Sequence, residues 1–173
     1  STGQWQTDLD LLNRGEATAS VDIALLKAGQ SNLSPLAYNV AVPAGQTARI
    51  ADVLGTILPA SNAALALRFC AGEASATSRF YNTSAKNGGT YGMYVPALPE
   101  SAALPTGTLG TFQHLTYSPS SSSGYRVNIG FANAVGFTVD VVIKLYGDSG
   151  ELLGTRAQRL RAFEHTQITK IHQ

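Results

Sequence analysis

The sequence predicts an all-β fold: an antiparallel β-sandwich, immunoglobulin-like in architecture, with one short helix. Three observations lead there. Short runs of alternating apolar and polar residues, separated by turn residues, recur along most of the 173-residue chain. Helical spacing of apolar residues occurs once, over 49–58. Two stretches near the ends, 5–26 and 125–146, align without a gap at an offset of 120 (125 − 5 and 146 − 26).

In that alignment Trp5 falls on Tyr125, Asp8 on Asn128, Leu9 on Ile129, Leu11 on Phe131 and Asn13 on Asn133. Further on, Val21, Ile23 and Leu25 fall on Val141, Ile143 and Leu145. Each copy reads as strand, Asn-containing turn, strand. A two-strand unit cannot cover its own apolar face, so two copies facing each other would close one core. On this reading residues 1–173 form a single domain, with repeat halves at about 4–57 and 124–172 joined by 58–123.

The elements follow in order. Residues 7–12 alternate, and Asn13-Arg14-Gly15-Glu16 supplies the positive-φ positions of a reversal. Over 18–26, Ala19, Val21, Ile23 and Leu25 share one face of a half-buried strand. A strand over 36–42 ends at Pro43-Ala44-Gly45. The apolar residues at 50, 53, 54, 57 and 58 give one short helix or helical turn near 49–58, stopped by Pro59. Strands follow over 64–71, 75–82, 90–95 and 108–117, then a Ser-rich loop over 118–124. The second copy supplies strands over 125–134 and 137–146, then 152–160, after Asp148-Ser149-Gly150, and about 166–171. In the repeat this last strand matches Ala48-Arg49-Ile50, with Val42 matching Leu160.

Composition narrows the function classes. Only 13% of residues are charged, so Ser, Thr, Asn, Gln and Gly must make most of the surface, a pattern of secreted and cell-surface β proteins. With 12 Lys+Arg against 11 Asp+Glu, the net charge of +1 gives no electrostatic footprint for nucleic acid. Of the basic cluster Arg156, Arg159 and Arg161, the last two share one side of a strand and read as a solvated face. No apolar run is long enough to span a membrane. The chain starts at Ser1, close to its first strand, and reads as a mature or excised piece; the lack of a leader is no argument against export. The single cysteine, Cys70, excludes an internal disulfide and a cysteine-built zinc site. With no basic or imidazole neighbour evident, it reads as a small buried hydrophobe rather than a reactive thiolate.

Thr77-Ser78-Arg79-Phe80-Tyr81-Asn82 and Gly89-Thr90-Tyr91-Gly92-Met93-Tyr94-Val95-Pro96-Ala97 follow the opening Trp5-Gln6-Thr7-Asp8. This combination resembles a pattern in β-sandwich accessory modules of exported bacterial proteins: Arg-x-Tyr-Asn, then Gly-Thr-Tyr-Gly and Pro-Ala. The resemblance implies an extracellular module beside a catalytic or adhesive neighbour. It has no assigned chemistry and carries over no catalytic residue.

The candidate ligand-binding residues are Arg79, Tyr81, Asn82, Tyr91 and Tyr94, whose rings and polar tips suit a sugar ring or a peptide. The simpler reading is a cross-strand aromatic ladder with Arg stacked on Tyr. Asp8 and Asp10 share a strand face and suit acid–base chemistry or calcium. Only Asp8 is echoed in the second copy, however, which favours a side-chain hydrogen bond to a neighbouring turn. His114, His165 and His172 have no metal-ligand spacing, and no nucleophile elbow or phosphate loop occurs. The expected function is therefore a non-catalytic secreted or surface module for binding, adhesion or spacing, without cofactor or metal. Its partner would be a polysaccharide or a surface protein. Two alternatives stand beside it. One is a carbohydrate-binding module using the Tyr81, Tyr91 and Tyr94 face. The other is an assembly subunit that adds a strand, from 1–12 or 166–171, to a neighbour's sheet edge.

Overall fold

The computed structural model describes residues 5–84, 89–113, 115 and 127–169. The chain is all-β, with antiparallel sheets and one short helix. In order the elements are β1 (Trp5–Asn13), β2 (Ala19–Lys27), β3 (Ala37–Val42), β4 (Thr47–Ile50), α1 (Val53–Thr56), β5 (Ala63–Ala71), β6 (Ala74–Asn82) and β7 (Tyr91–Pro96). A 3-10 turn at Glu100–Ala102 precedes β8 (Ile129–Ala132), β9 (Val139–Tyr146), β10 (Leu152–Leu160) and β11 (His165–Ile168). Two compact units result, Ser1–Leu26 with Ser34–Pro99, and Lys27–Leu33 with Glu100–Gln173.

The first unit holds two sheets, ordered β4-β1-β6-β7 and β3-β2-β5. Period-two patterning decides its core. Leu9 and Leu11 of β1 and Val21, Ile23 and Leu25 of β2 alternate onto the inner faces and cluster with Val42, Val53, Leu58 and Ala76. This cluster consists of first-unit residues alone. Strands β1–β4 belong to the first unit and β8–β11 to the second.

The helix expected over 49–58 is a single turn, because Thr47–Ile50 pairs with β1 in the register Leu9↔Ile50 to Leu12↔Thr47. Asp52, in the left-handed region at φ 45, ends the strand and starts the turn, and Val53 and Leu58 plug the core. The short helical turn expected near 49–58 is thus Val53–Thr56, and the apolar Ile50 belongs to β4. Residues 108–113 and 115 form no strand, contrary to the expectation over 108–117; 114, 116 and 117 lie outside the described residues. Likewise 125–126 and 170–171, expected as strand, lie outside them. Strand β1 pairs with β6 over Trp5–Asn13 and with β4 over Leu9–Leu12.

In the second unit β8 pairs with β11 and β9 with β10, and Ile129, Leu160, Ala162 and Ile168 are buried. The pairing reproduces the first copy. Ala19↔Val42 is matched by Val139↔Leu160, and Leu11↔Ala48 by Phe131↔Thr166. The offset falls from 120 (139 − 19) to 118 (160 − 42) across the connection between the second and third strands of the unit.

The same asparagine locks both copies. Asn13 Nδ2 donates to the carbonyls of Ala17 and Val42, both at 2.8 Å, and its Oδ1 accepts the Gly15 N–H at 2.8 Å. Asn133 Nδ2 donates to Phe137 (2.7 Å) and Arg161 (2.8 Å), and its Oδ1 accepts the Val135 N–H at 3.0 Å. Backbone bonds repeat as well, from Asn13 N–H to Gln46 O and from Asn133 N–H to Glu164 O. A buried amide that satisfies two carbonyls and one N–H fixes this turn, which joins strands of two different sheets, against the end of the third strand.

Candidate binding faces on the β6 and β7 strands

Strands β6 and β7 pair in the register Arg79↔Tyr94, Phe80↔Met93, Tyr81↔Gly92 and Asn82↔Tyr91. Alternation splits the five sequence candidates between two faces. Arg79, Tyr81 and Tyr94 share the outer face with Asp8 of β1, whereas Asn82 and Tyr91 share the inner face with Trp5, which pairs with Asn82. The pleat therefore divides the Tyr81, Tyr91 and Tyr94 surface considered from sequence.

The outer face is a polar network. Asp8 is buried; its Oδ1 accepts the Asp52 N–H (3.0 Å) and the Tyr81 hydroxyl (3.3 Å), while Oδ2 accepts Arg49 Nη2 at 2.5 Å. Arg49 Nε also lies 4.0 Å from Asp10. Burial pushes the Asp8 carboxyl upward, but the Asp52 N–H, the Arg49 guanidinium and the Tyr81 hydroxyl outweigh it and hold the pKa below the ordinary carboxylate value. Desolvation, then the Asp8 carboxylate, raises the Tyr81 phenol. The Arg79 guanidinium stacks over the Tyr81 ring, 4.6 Å from its centroid, and donates to Thr90 Oγ1 at 2.5 Å. The Arg79–Tyr81 stack lies within β6 rather than across strands, and the Tyr81 hydroxyl joins it to the Asp8 carboxylate, which accepts from the turn residue Asp52.

The close seat of Tyr81 depends on Gly92. A Cβ there would stand 2.1 Å from the Phe80 carbonyl oxygen and 2.6 Å from Tyr81 Cα, so β7 packs on β6 only with glycine at that position.

On the inner face the strands outrun the core. Trp5 and Phe80 stack nearly parallel, 4.4 Å between centroids and 6° apart, and Tyr91 meets Trp5 edge-on at 5.7 Å. Trp5 is 51% exposed, Phe80 38%, Tyr91 54% and the neighbouring Met93 63%, so these rings form an open apolar surface. Asn82 is buried, and its Oδ1 accepts the Ser84 N–H at 2.8 Å, a bond that holds the turn. Phe80 and Met93 were not among the sequence candidates. The signal for them was the same alternation, read from the opposite face of Arg79 and Tyr94.

Other polar groups also sit in scaffold contacts. Asp22 accepts Asn39 Nδ2 (2.7 Å) and Arg68 Nη2 (2.7 Å), which together with Cys70 Sγ at 3.1 Å bring its pKa down to about 2. Cys70 is exposed, not buried, because β5 leaves the core beyond Leu67, and Arg68 stands beside it on the strand face that meets Asp22. Arg159 grips Asp140 through Nε (2.8 Å) and Nη2 (3.2 Å), and Arg161 donates to the Gly29 carbonyl. Among the described residues no group of three or more His, Cys, Asp or Glu is placed to hold a metal ion, and no helix is long and apolar enough to cross a membrane. No family model, curated protein or solved structure matches the chain.

Proposed function

We propose that the chain is a non-catalytic, immunoglobulin-like β-sandwich module, exported to the cell surface or medium, that binds or spaces rather than turning over a substrate. The observation that carries this reading is the use made of its carboxylates. Asn39 and Arg68 hold Asp22 well below the ordinary range, Arg159 lowers Asp140, and the partners of Asp8 outweigh its burial. A general acid at neutral pH needs the opposite, upward shift. Carboxylates kept ionised by strand-to-strand partners support a scaffold role, and the resemblance to accessory modules supports export. The test is a panel of ester, glycoside, peptide and phosphate reporter substrates, on which the purified chain should match a heat-denatured control. Turnover that follows the chain through chromatography, and disappears in a folded Asp8→Asn variant, contradicts the proposal.

A second reading, carbohydrate binding, is favoured by the exposed Trp5, Phe80 and Tyr91 rings, since flat apolar faces stack on sugar rings. It moves the ligand from the Arg79, Tyr81 and Tyr94 face to the opposite one. On a glycan array Trp5→Ala and Tyr91→Ala should abolish binding while Tyr94→Ala retains it. An array on which the unmodified chain captures no glycan removes this reading.

A further inference from the structure

An open groove lies within the second unit, between the loop 28–33 and the turn 134–138. Its volume of about 780 Å³ suits a small ligand. The loop that walls it is pinned in place. Asn32 is buried; its N–H donates to the Ala162 carbonyl at 2.9 Å and its Nδ2 to the Phe163 carbonyl at 3.0 Å, while Arg161 holds the Gly29 carbonyl. Leu33 and Phe137 line the groove and are 64% and 60% exposed, so two apolar side chains stand open to water. Gly136 leaves the space beside Leu33 empty: a Cβ there would meet Leu33 Cδ2 at 3.7 Å and the Phe163 ring at 3.5 Å. The charged lining is unbalanced. Arg159 compensates Asp140 through bonds of 2.8 and 3.2 Å. All eleven Asp and Glu lie among the described residues, and none forms an ion pair with Arg161; Glu164 accepts its backbone N–H instead. The scaffold does not require these side chains. Phe137, Asp140 and Arg159 stand where the first copy has Ala17, Ser20 and Ala41, and Ser20 pairs with Ala41 as Asp140 pairs with Arg159. The first copy makes the same strands and the same asparagine lock without them.

We propose that this groove binds a ligand in which an apolar group carries a carboxylate. The carboxylate pairs with the Arg161 guanidinium, whose planar fork matches two carboxylate oxygens. The apolar group lies over Leu33 and Phe137 and takes both out of water. The Arg159–Asp140 pair is already compensated and asks for no second charge on the ligand. A small organic acid and the last residue of a polypeptide both carry this chemistry. The groove belongs to the second unit and the Trp5 ring surface to the first, so neither reading depends on the other.

Proton–nitrogen correlation spectra of the full chain, titrated with phenylacetate, test the proposal. The amides of Leu33, Gly136, Phe137, Arg161 and Ala162 should shift and saturate. Phenylacetamide keeps the ring without the charge, and acetate the charge without the ring; each should bind at least about tenfold more weakly. Arg161→Gln should weaken phenylacetate about tenfold. Because Arg161 also holds the Gly29 carbonyl, Gly136→Val is the second variant: it fills the groove, leaves every charge in place and should weaken binding as much. Arg156→Gln, on β10 outside the groove, should change nothing. A short peptide ending in phenylalanine, with a free and with an amidated end, finds the source. Free-end binding tighter than phenylacetate makes the ligand a chain end, and weaker binding makes it a small acid; both support the carboxylate site. Phenylacetate that shifts none of these amides, phenylacetamide or acetate that binds as well, or binding that survives both Arg161→Gln and Gly136→Val overturns it.

Discussion

Replacing Asn13 by alanine should unfold the first unit at markedly lower denaturant. The side chain is fully buried and makes three hydrogen bonds, two of them 2.8 Å donations to the Ala17 and Val42 carbonyls. Each bond contributes about 1 kcal/mol net, and a buried acceptor left without a donor costs about 1–3 kcal/mol. Ala17 is exposed and its carbonyl can recruit water, whereas Val42 is buried and its carbonyl has no such recourse. The expected loss is therefore about 2–4 kcal/mol. Asn13→Asp is the sharper control, because it keeps the acceptor for Gly15 but turns a second oxygen toward the two carbonyls; it should cost at least as much. Trp5, the only tryptophan, lies in the first unit, so urea denaturation followed by its fluorescence reports the relevant transition. A shift below about 0.5 kcal/mol in either variant, the range of an ordinary surface substitution, would refute the reasoning. Asn133→Ala, with its matching bonds, should cost a similar amount in the transition followed by far-ultraviolet circular dichroism.

Other outcomes follow from the same contacts. Asp8→Asn should destabilise the chain by about 1–3 kcal/mol at pH 7, as charge-assisted bonds are lost. Because the folded pKa of Asp8 lies below its unfolded value, that stabilisation is present above the ordinary carboxylate pKa and fades as pH falls through the folded value. The gap in melting temperature between the wild-type chain and Asp8→Asn should therefore narrow below about pH 4, and a constant gap contradicts the assignment. Gly92→Ala should cost about 1–3 kcal/mol and weaken the near-ultraviolet dichroism of the Trp5 cluster, since its Cβ meets β6 backbone; an unchanged spectrum and stability count against the pairing. Native protein should titrate one thiol per chain with a disulfide reagent, because Cys70 is exposed, and a thiol reactive only after denaturation would place β5 wrongly.

Where one physical signal dominated, sequence and structure agree. Ala19, Val21, Ile23 and Leu25 have strict period-two spacing and are all buried. The repeat also extended beyond its gapless stretch: Val42 was matched with Leu160 and Ala48-Arg49-Ile50 with the last strand, and both correspondences hold in the register at an offset of 118 (160 − 42). Over 49–58 two signals competed. Apolar spacing argued helix, the repeat argued strand at 49–50, and pairing with β1 decides for the strand there. Composition cannot show where a strand outruns its neighbour. Cys70 and Phe80 look like core residues in their strands, yet both lie where the opposing sheet no longer covers them. The candidate site was legible as a set of residues but not as a face. Splitting Tyr81 from Tyr91 needs the β6–β7 register, and turn residues alone did not set it.

The central claim is that two four-strand units of one design stand at the two ends of this chain. Nuclear Overhauser contacts between strands test it most directly. The duplication predicts contacts for Leu11–Ala48 and Ala19–Val42 in the first unit, and for Phe131–Thr166 and Val139–Leu160 in the second. A spectrum with the first pair of contacts but neither of the second, or with 129–168 paired in another register, would contradict it.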